Sequence, residues 1–221
     1  MKYKNYIFDL YGTLIDINTN EWSAQLWKKM AILYGYYGAQ YTYRELGAEY
    51  GRLVDKEKRA VMRRHPEYTV IDIKIEKVFR CFSTKYIKLY DGVRELLNTI
   101  KENGGRIYLL SNAQRTFTEN ELNMLGLTPY FDGICISSDE ECSKPDAHYF
   151  QILFDRCGLK KEESIMIGND FRSDIGGAAD FGIDSLYIHQ SISPEIDGEL
   201  RSTYTIMDGD VYKMIDILFE T

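Results

Sequence analysis

Apolar residues along the chain fall into two regimes. Between about residues 18 and 88 they recur at helical spacing: Trp22, Leu26, Met30 and Leu33, then Leu46, Tyr50, Leu53 and Val54, then Ile75, Val78, Phe79 and Phe82. Residues three and four apart share one helix face, so the pattern predicts helices over 21–34, 43–65 and 71–86. Thr19 or Asn20 is placed to cap the first, and Pro66 stops the second. Nothing in 18–88 reads as a strand.

From Tyr90-Asp91-Gly92 onward the period changes. Short apolar runs at 106–110, 133–137, 164–168 and 185–189, and a shorter one at 204–206, have the continuous hydrophobicity of strands covered on both faces. Helical spacings separate them: Val93, Leu96, Leu97 and Ile100, then 116–125, 148–157, a helix starting near Asp174, and 211–219. With the run Tyr6-Ile7-Phe8 as a first strand, the alternation predicts an α/β fold, a doubly wound parallel (Rossmann-like) sheet with right-handed crossovers. Residues 1–17 and 89–221 would form this core, and 18–88 an all-helical insertion.

Composition narrows the function. The chain has 221 residues, 44% of them hydrophobic, which is enough to bury a core, and a formal charge of −7 that argues against a general nucleic-acid binder. Cys81, Cys135, Cys142 and Cys157 form no CxxC pair, and Met1-Lys2-Tyr3-Lys4 leads straight into a strand, so free thiols in a reducing cytoplasm are expected. No apolar stretch approaches the roughly 20 residues that span a bilayer. The expected partner is a small anionic molecule, with neither nucleic acid nor membrane; the oligomeric state is left open.

The chemistry gathers at strand ends. Asp9 closes the first strand, and Gly12 lets backbone amides approach an anion there. A carboxylate at this edge is a nucleophile or a ligand for a hard cation. Ser111-Asn112 ends the second core strand and offers a small donor for an oxyanion. Lys144, in Ser143-Lys144-Pro145-Asp146, supplies a cation, and Asn169, Asp170 and Asp174 follow the strand that ends at Gly168.

In order and spacing these four segments resemble the motifs of the haloacid dehalogenase-like hydrolase superfamily over nearly the whole chain. The resemblance implies that Asp9 attacks the substrate, that Thr13, Ser111 and Lys144 hold the transferred group with Asn112 in the second motif, and that the insertion is a cap covering the catalytic edge. It also implies Mg²⁺ held by Asp9, the backbone carbonyl of Tyr11, Asp170 and Asp174. Hydrolysis of a small phosphorylated metabolite through an aspartyl intermediate is the expected activity.

The chain departs from that pattern at instructive places. Tyr11 stands where the family's phosphatases carry a second aspartate as general acid and base. A tyrosine there resembles the metal-independent 2-haloacid dehalogenases, and Asp170 pulls back toward a metal. Counted back from Asp174 without a gap, Asn169 rather than Asp170 falls on the usual metal-ligand position; Asp170 is preferred as the carboxylate. The dehalogenase tyrosine six residues after the lysine is matched by Phe150, with Tyr149 one place early. A non-catalytic binding protein is the further alternative. In the insertion, Lys56, Lys58, Arg59, Arg63 and Arg64 form a basic run, and Arg44 is a lesser candidate for gripping a substrate carboxylate.

Overall fold

The computed structural model describes residues 2–57 and 70–219, with the backbone alone at 54–57 and 70–74. The chain divides into two compact units, Met1–Asp16 with Lys88–Thr221, and Ile17–Ile87.

The larger unit is built on a six-stranded sheet. Its strands are β1 (Asn5–Phe8), β4 (Arg106–Ser111), β5 (Gly133–Ile136), β6 (Ser164–Gly168), β7 (Asp184–Ile188) and β8 (Tyr204–Ile206). Their order is β5-β4-β1-β6-β7-β8, and every neighbouring pair is parallel. Helices α4 (Val93–Glu102), α5 (Arg115–Met124), α6 (Ser137–Glu140), α7 (Ala147–Cys157), α8 (Gly177–Phe181) and α9 (Tyr212–Phe219) join and cover them. Tyr6, Ile7 and Phe8 are fully buried because β1 lies mid-sheet with both faces covered. Burying one such side chain is worth about 1.5–3 kcal/mol. On α4 the helical spacing is realised, since Val93, Leu96, Leu97 and Ile100 are all buried.

The order places β1 between β4 and β6, and the chain winds outward first on one side and then on the other. This is the topological switch point, where the carboxyl ends of adjacent strands leave a crevice open to ligands. Asp9 is the residue directly after β1.

The smaller unit carries α1 (Ala24–Tyr36), α2 (Tyr43–Glu57) and α3 (Val70–Ser83). Ser23, not Thr19 or Asn20, caps α1, its hydroxyl accepting from the Gln25 amide at 3.2 Å. Trp27, Tyr50 and Phe79 pack ring against ring at centroid distances of 5.1–5.8 Å, so these aromatics serve helix packing.

Two strands depart from the all-helical reading of 18–88. Strand β2 (Ile15–Thr19) pairs with β3 (Thr84–Leu89) in a sheet of their own. The helix expected over 71–86 therefore ends at Ser83, where Arg80 O accepts from the hydroxyls of Ser83 and Thr84. Pairing with a partner some 65 residues away overrides the local helical spacing. The rest of the helix expected over 43–65, and the side chains of Lys56, Lys58, Arg59, Arg63 and Arg64, lie outside the described residues.

Candidate active site

Asp9 is 9% exposed, and its backbone N–H donates to Ile167 O at 2.9 Å, tying the end of β1 to β6. Its Oδ1 receives the ammonium of Lys144 at 2.7 Å. The same ammonium lies 2.7 Å from Asp174 Oδ1, so one lysine bridges two carboxylates brought from separate strand ends. Asp174 Oδ2 accepts from the backbone amides of Asp170 and Asn169, at 2.9 and 3.1 Å. Only glycine fits at 168, where a Cβ would fall 2.3 Å from Asp174 Oδ2.

Burial sets the electrostatics. It pushes the Asp174 carboxyl up to about 6, against the downward pull of the Lys144 ammonium. Burial also works against the ammonium, but the Asp174 and Asp9 carboxylates outweigh it and raise the lysine above its ordinary value.

Asn112 fixes where Lys144 sits. Its Oδ1 accepts from the Lys144 amide at 2.8 Å and its Nδ2 donates to the Lys144 carbonyl at 2.9 Å, a two-point clamp on the lysine backbone. Asn112 thus positions the cation. Ser111, at the end of β4, is 1% exposed, and its hydroxyl has no hydrogen-bond partner among the described residues. A buried donor left open at a site edge is suited to an oxyanion. Tyr149 supports this edge, its hydroxyl lying 2.9 Å from Ser111 O and 3.0 Å from Cys135 O.

Thr13 is fully buried and donates to Asn169 Oδ1 at 3.3 Å, while Asn169 Nδ2 donates to Ser193 at 3.2 Å. Gly12, at φ +81°, passes so close to Asn169 that a Cβ would lie 2.3 Å from its Nδ2. Asp170 caps a π-helical turn (Phe171–Gly176), its Oδ1 accepting from Arg172 and Ser173 amides at 2.9 and 3.0 Å. The helix expected near Asp174 therefore begins three residues earlier. Tyr11 turns onto α5, where its hydroxyl donates to Glu121 Oε2 at 2.5 Å and lies 3.3 Å from Thr118 Oγ1. Arg44 belongs to the smaller unit and stacks on Tyr43, 5.5 Å from the ring centroid.

The structure thus joins Asp9, Lys144 and Asp174 directly, with Asn112 behind the lysine and Thr13 on Asn169. Glu121, Thr118, Ser193 and Tyr149 carry no motif signal in the sequence; only the misregistered tyrosine at 149 hinted at the last. Among the described residues no group of three or more His, Cys, Asp or Glu side chains is arranged to hold a metal ion. The donors that are present are all oxygens: the Asp9 carboxylate, the Asn169 amide, the Asp170 carboxylate and backbone carbonyls. Such a set suits Mg²⁺, which takes one or two carboxylates and keeps several waters.

At the switch point of a doubly wound sheet, then, a buried carboxylate is paired to a lysine, and the neighbouring strand ends on a buried hydroxyl without a partner among the described residues. The chain belongs to the haloacid dehalogenase-like hydrolases, whose family profile matches residues 3–182. It is 29% identical over 177 residues to pyrophosphatase PpaX of Halalkalibacterium halodurans, covering 80% of each chain. Its fold matches the crystal structure of the putative hydrolase YfnB from Bacillus subtilis bound to magnesium, with a TM-score of 0.65, 22% identity, and 99% and 100% of the two chains covered. A dehalogenase crystal structure matches with a TM-score of 0.62 at 18% identity, covering 99% of this chain and 98% of that one. The shared fold therefore spans both chemistries.

Proposed function

We propose that this chain is a Mg²⁺-dependent phosphatase of small phosphorylated metabolites, with Asp9 as nucleophile. The observation that carries the reading is the Lys144 ammonium held 2.7 Å from both Asp9 and Asp174. It pairs with the Asp9 carboxylate and offers positive charge to a phosphoryl group arriving there. The Ser111 hydroxyl, open and buried, would receive a phosphoryl oxygen, and Thr13 would hold the turn around it. The likeness to a pyrophosphatase supports phosphoryl chemistry.

Asp9 and the Tyr11 carbonyl would hold the cation, with Asp170 or Asn169 beside them. Asp174, whose oxygens already serve Lys144 and two amides, would contribute through water. When bound, Mg²⁺ supplies charge neutralisation on the phosphoryl oxygens. Asp9 attacks phosphorus, and water then cleaves the resulting acyl phosphate and restores the carboxylate.

Tyr11 favours a second reading, the metal-independent hydrolysis of a 2-haloalkanoate by the same aspartate. One assay separates them. Phosphate release from a panel of phosphate esters, abolished by EDTA and restored by Mg²⁺, is the expected result. Halide release from 2-haloacids that survives EDTA would replace the phosphatase with the dehalogenase.

A further inference from the structure

The Tyr11 contact bears on which phosphorylated compounds the site can cleave, an inference that rests on the phosphatase reading. Thr118 and Glu121 lie three apart on one face of α5, are 0% and 8% exposed, and both meet the Tyr11 hydroxyl. The Thr118 hydroxyl also lies 3.0 Å from Gln114 O, a carbonyl that can only accept, and Glu121 presents a carboxylate oxygen. The tyrosine proton is thus directed at Glu121. Tyr11 is two residues from Asp9, and its hydroxyl is directed onto α5. In the group of Asp9, Lys144 and Asp174 the lysine is shared by two carboxylates, and Asp174 accepts from two backbone amides. Among the described residues, the Asp9 and Asp174 carboxylates of this group are thus engaged by the shared ammonium and, for Asp174, by the two amides.

We propose that the site acts on phosphoryl groups whose leaving group departs as a stable anion, acyl phosphates and phosphoanhydrides, and discriminates against alkyl phosphomonoesters, because Glu121 holds the Tyr11 hydroxyl. In the first step an Asp9 oxygen bonds to phosphorus, the bond from phosphorus to the leaving oxygen breaks, and the electron pair stays on that oxygen. A carboxylate or a phosphate bears the pair without a proton. An alkoxide, a far stronger base, does not. In the second step water attacks phosphorus, the bond from phosphorus to Asp9 breaks with its pair returning to the carboxylate, and both hydrogens of the water end on the released phosphate.

General acid catalysis is worth about 10²–10⁴-fold, and a site without it among the described residues should discriminate by about that much. With the full chain and Mg²⁺, kcat/KM for acetyl phosphate should exceed that for glycerol 3-phosphate by at least about 100-fold. Across substituted phenyl phosphates, log kcat/KM should fall steeply as the leaving phenol becomes more basic. Tyr11→Asp puts a carboxyl two residues after the nucleophile and should flatten that slope, which separates the effect from the intrinsic reactivity of the substrates. If Tyr11→Asp fails to fold, the wild-type slope decides alone. Glycerol 3-phosphate cleaved within about tenfold of acetyl phosphate, or a flat wild-type slope, would overturn this inference and leave the phosphatase reading standing. No release from any phosphate, acetyl phosphate included, would remove both.

Discussion

Lys144 and Asp174 form an ion pair at 2.7 Å in which each side chain is only 1% exposed, so each charge is compensated by protein groups rather than by water. Removing one partner strands the other. Lys144→Met should destabilise the fold by about 3–5 kcal/mol in urea denaturation, because two carboxylates then remain near each other without a cation. Adding Asp174→Asn should recover part of that loss. A double variant no more stable than Lys144→Met would show that the pair is not coupled.

The same pair makes a pH signature. The folded Asp174 carboxyl is raised to about 6 from an ordinary 3.8, so the folded chain binds its proton more tightly than the unfolded chain. Its contribution to stability is therefore full below about 3.8 and is lost as pH rises through about 6. The raised Lys144 works at the other end, stabilising the fold until pH climbs past its own elevated value. Asp174→Asn should flatten the stability profile between about pH 4 and 6. In the wild type kcat/KM should fall below about pH 6, where protonated Asp174 no longer balances the lysine. Equal pH profiles in the two proteins would count against this assignment.

Ser111 offers a separation of function from folding. Its hydroxyl makes no hydrogen bond among the described residues, so Ser111→Ala should change stability by no more than about 0.5–1 kcal/mol. Phosphatase activity should nevertheless drop about 10²-fold, the usual loss for one oxyanion donor. Thermal melts and steady-state kinetics on the same preparation test both halves.

Asn112 acts through the lysine backbone. Asn112→Ala removes two hydrogen bonds of 2.8 and 2.9 Å and should cost about 1–3 kcal/mol. Because the loss is in aiming Lys144, kcat should fall more than KM rises. Asn112→Asp, which keeps the acceptor for the Lys144 amide, should retain more activity than the alanine variant.

Asn169 would offer a cation at this site a neutral amide oxygen, where a carboxylate would bind a hard cation better. Asn169→Asp should tighten Mg²⁺ binding about tenfold or more in calorimetry. Ser193, now accepting from the Asn169 amide at 3.2 Å, can turn its hydroxyl to donate to the new carboxylate. Unchanged affinity would place the metal away from Asn169.

Much of this molecule is readable without coordinates, for a local reason. A parallel strand covered on both faces must be a short apolar run, and its ligand-facing residue must come at its carboxyl end, so Asp9, Ser111 and Asn169 announce themselves by position alone. The order of the four segments then names the family. What the tertiary structure decided are contacts between residues distant along the chain. Strand β3 exists because β2 lies beside it, and no spacing within residues 84–89 records that partner. Asp170 looks like a free acid in the sequence, but the turn that follows takes it as a cap. Glu121 looks like one more polar helix residue, yet it meets a tyrosine 110 positions earlier. Hydrophobic periodicity encodes which way a residue faces; which polar group it meets there depends on where separate elements dock, and that is set only when the core packs.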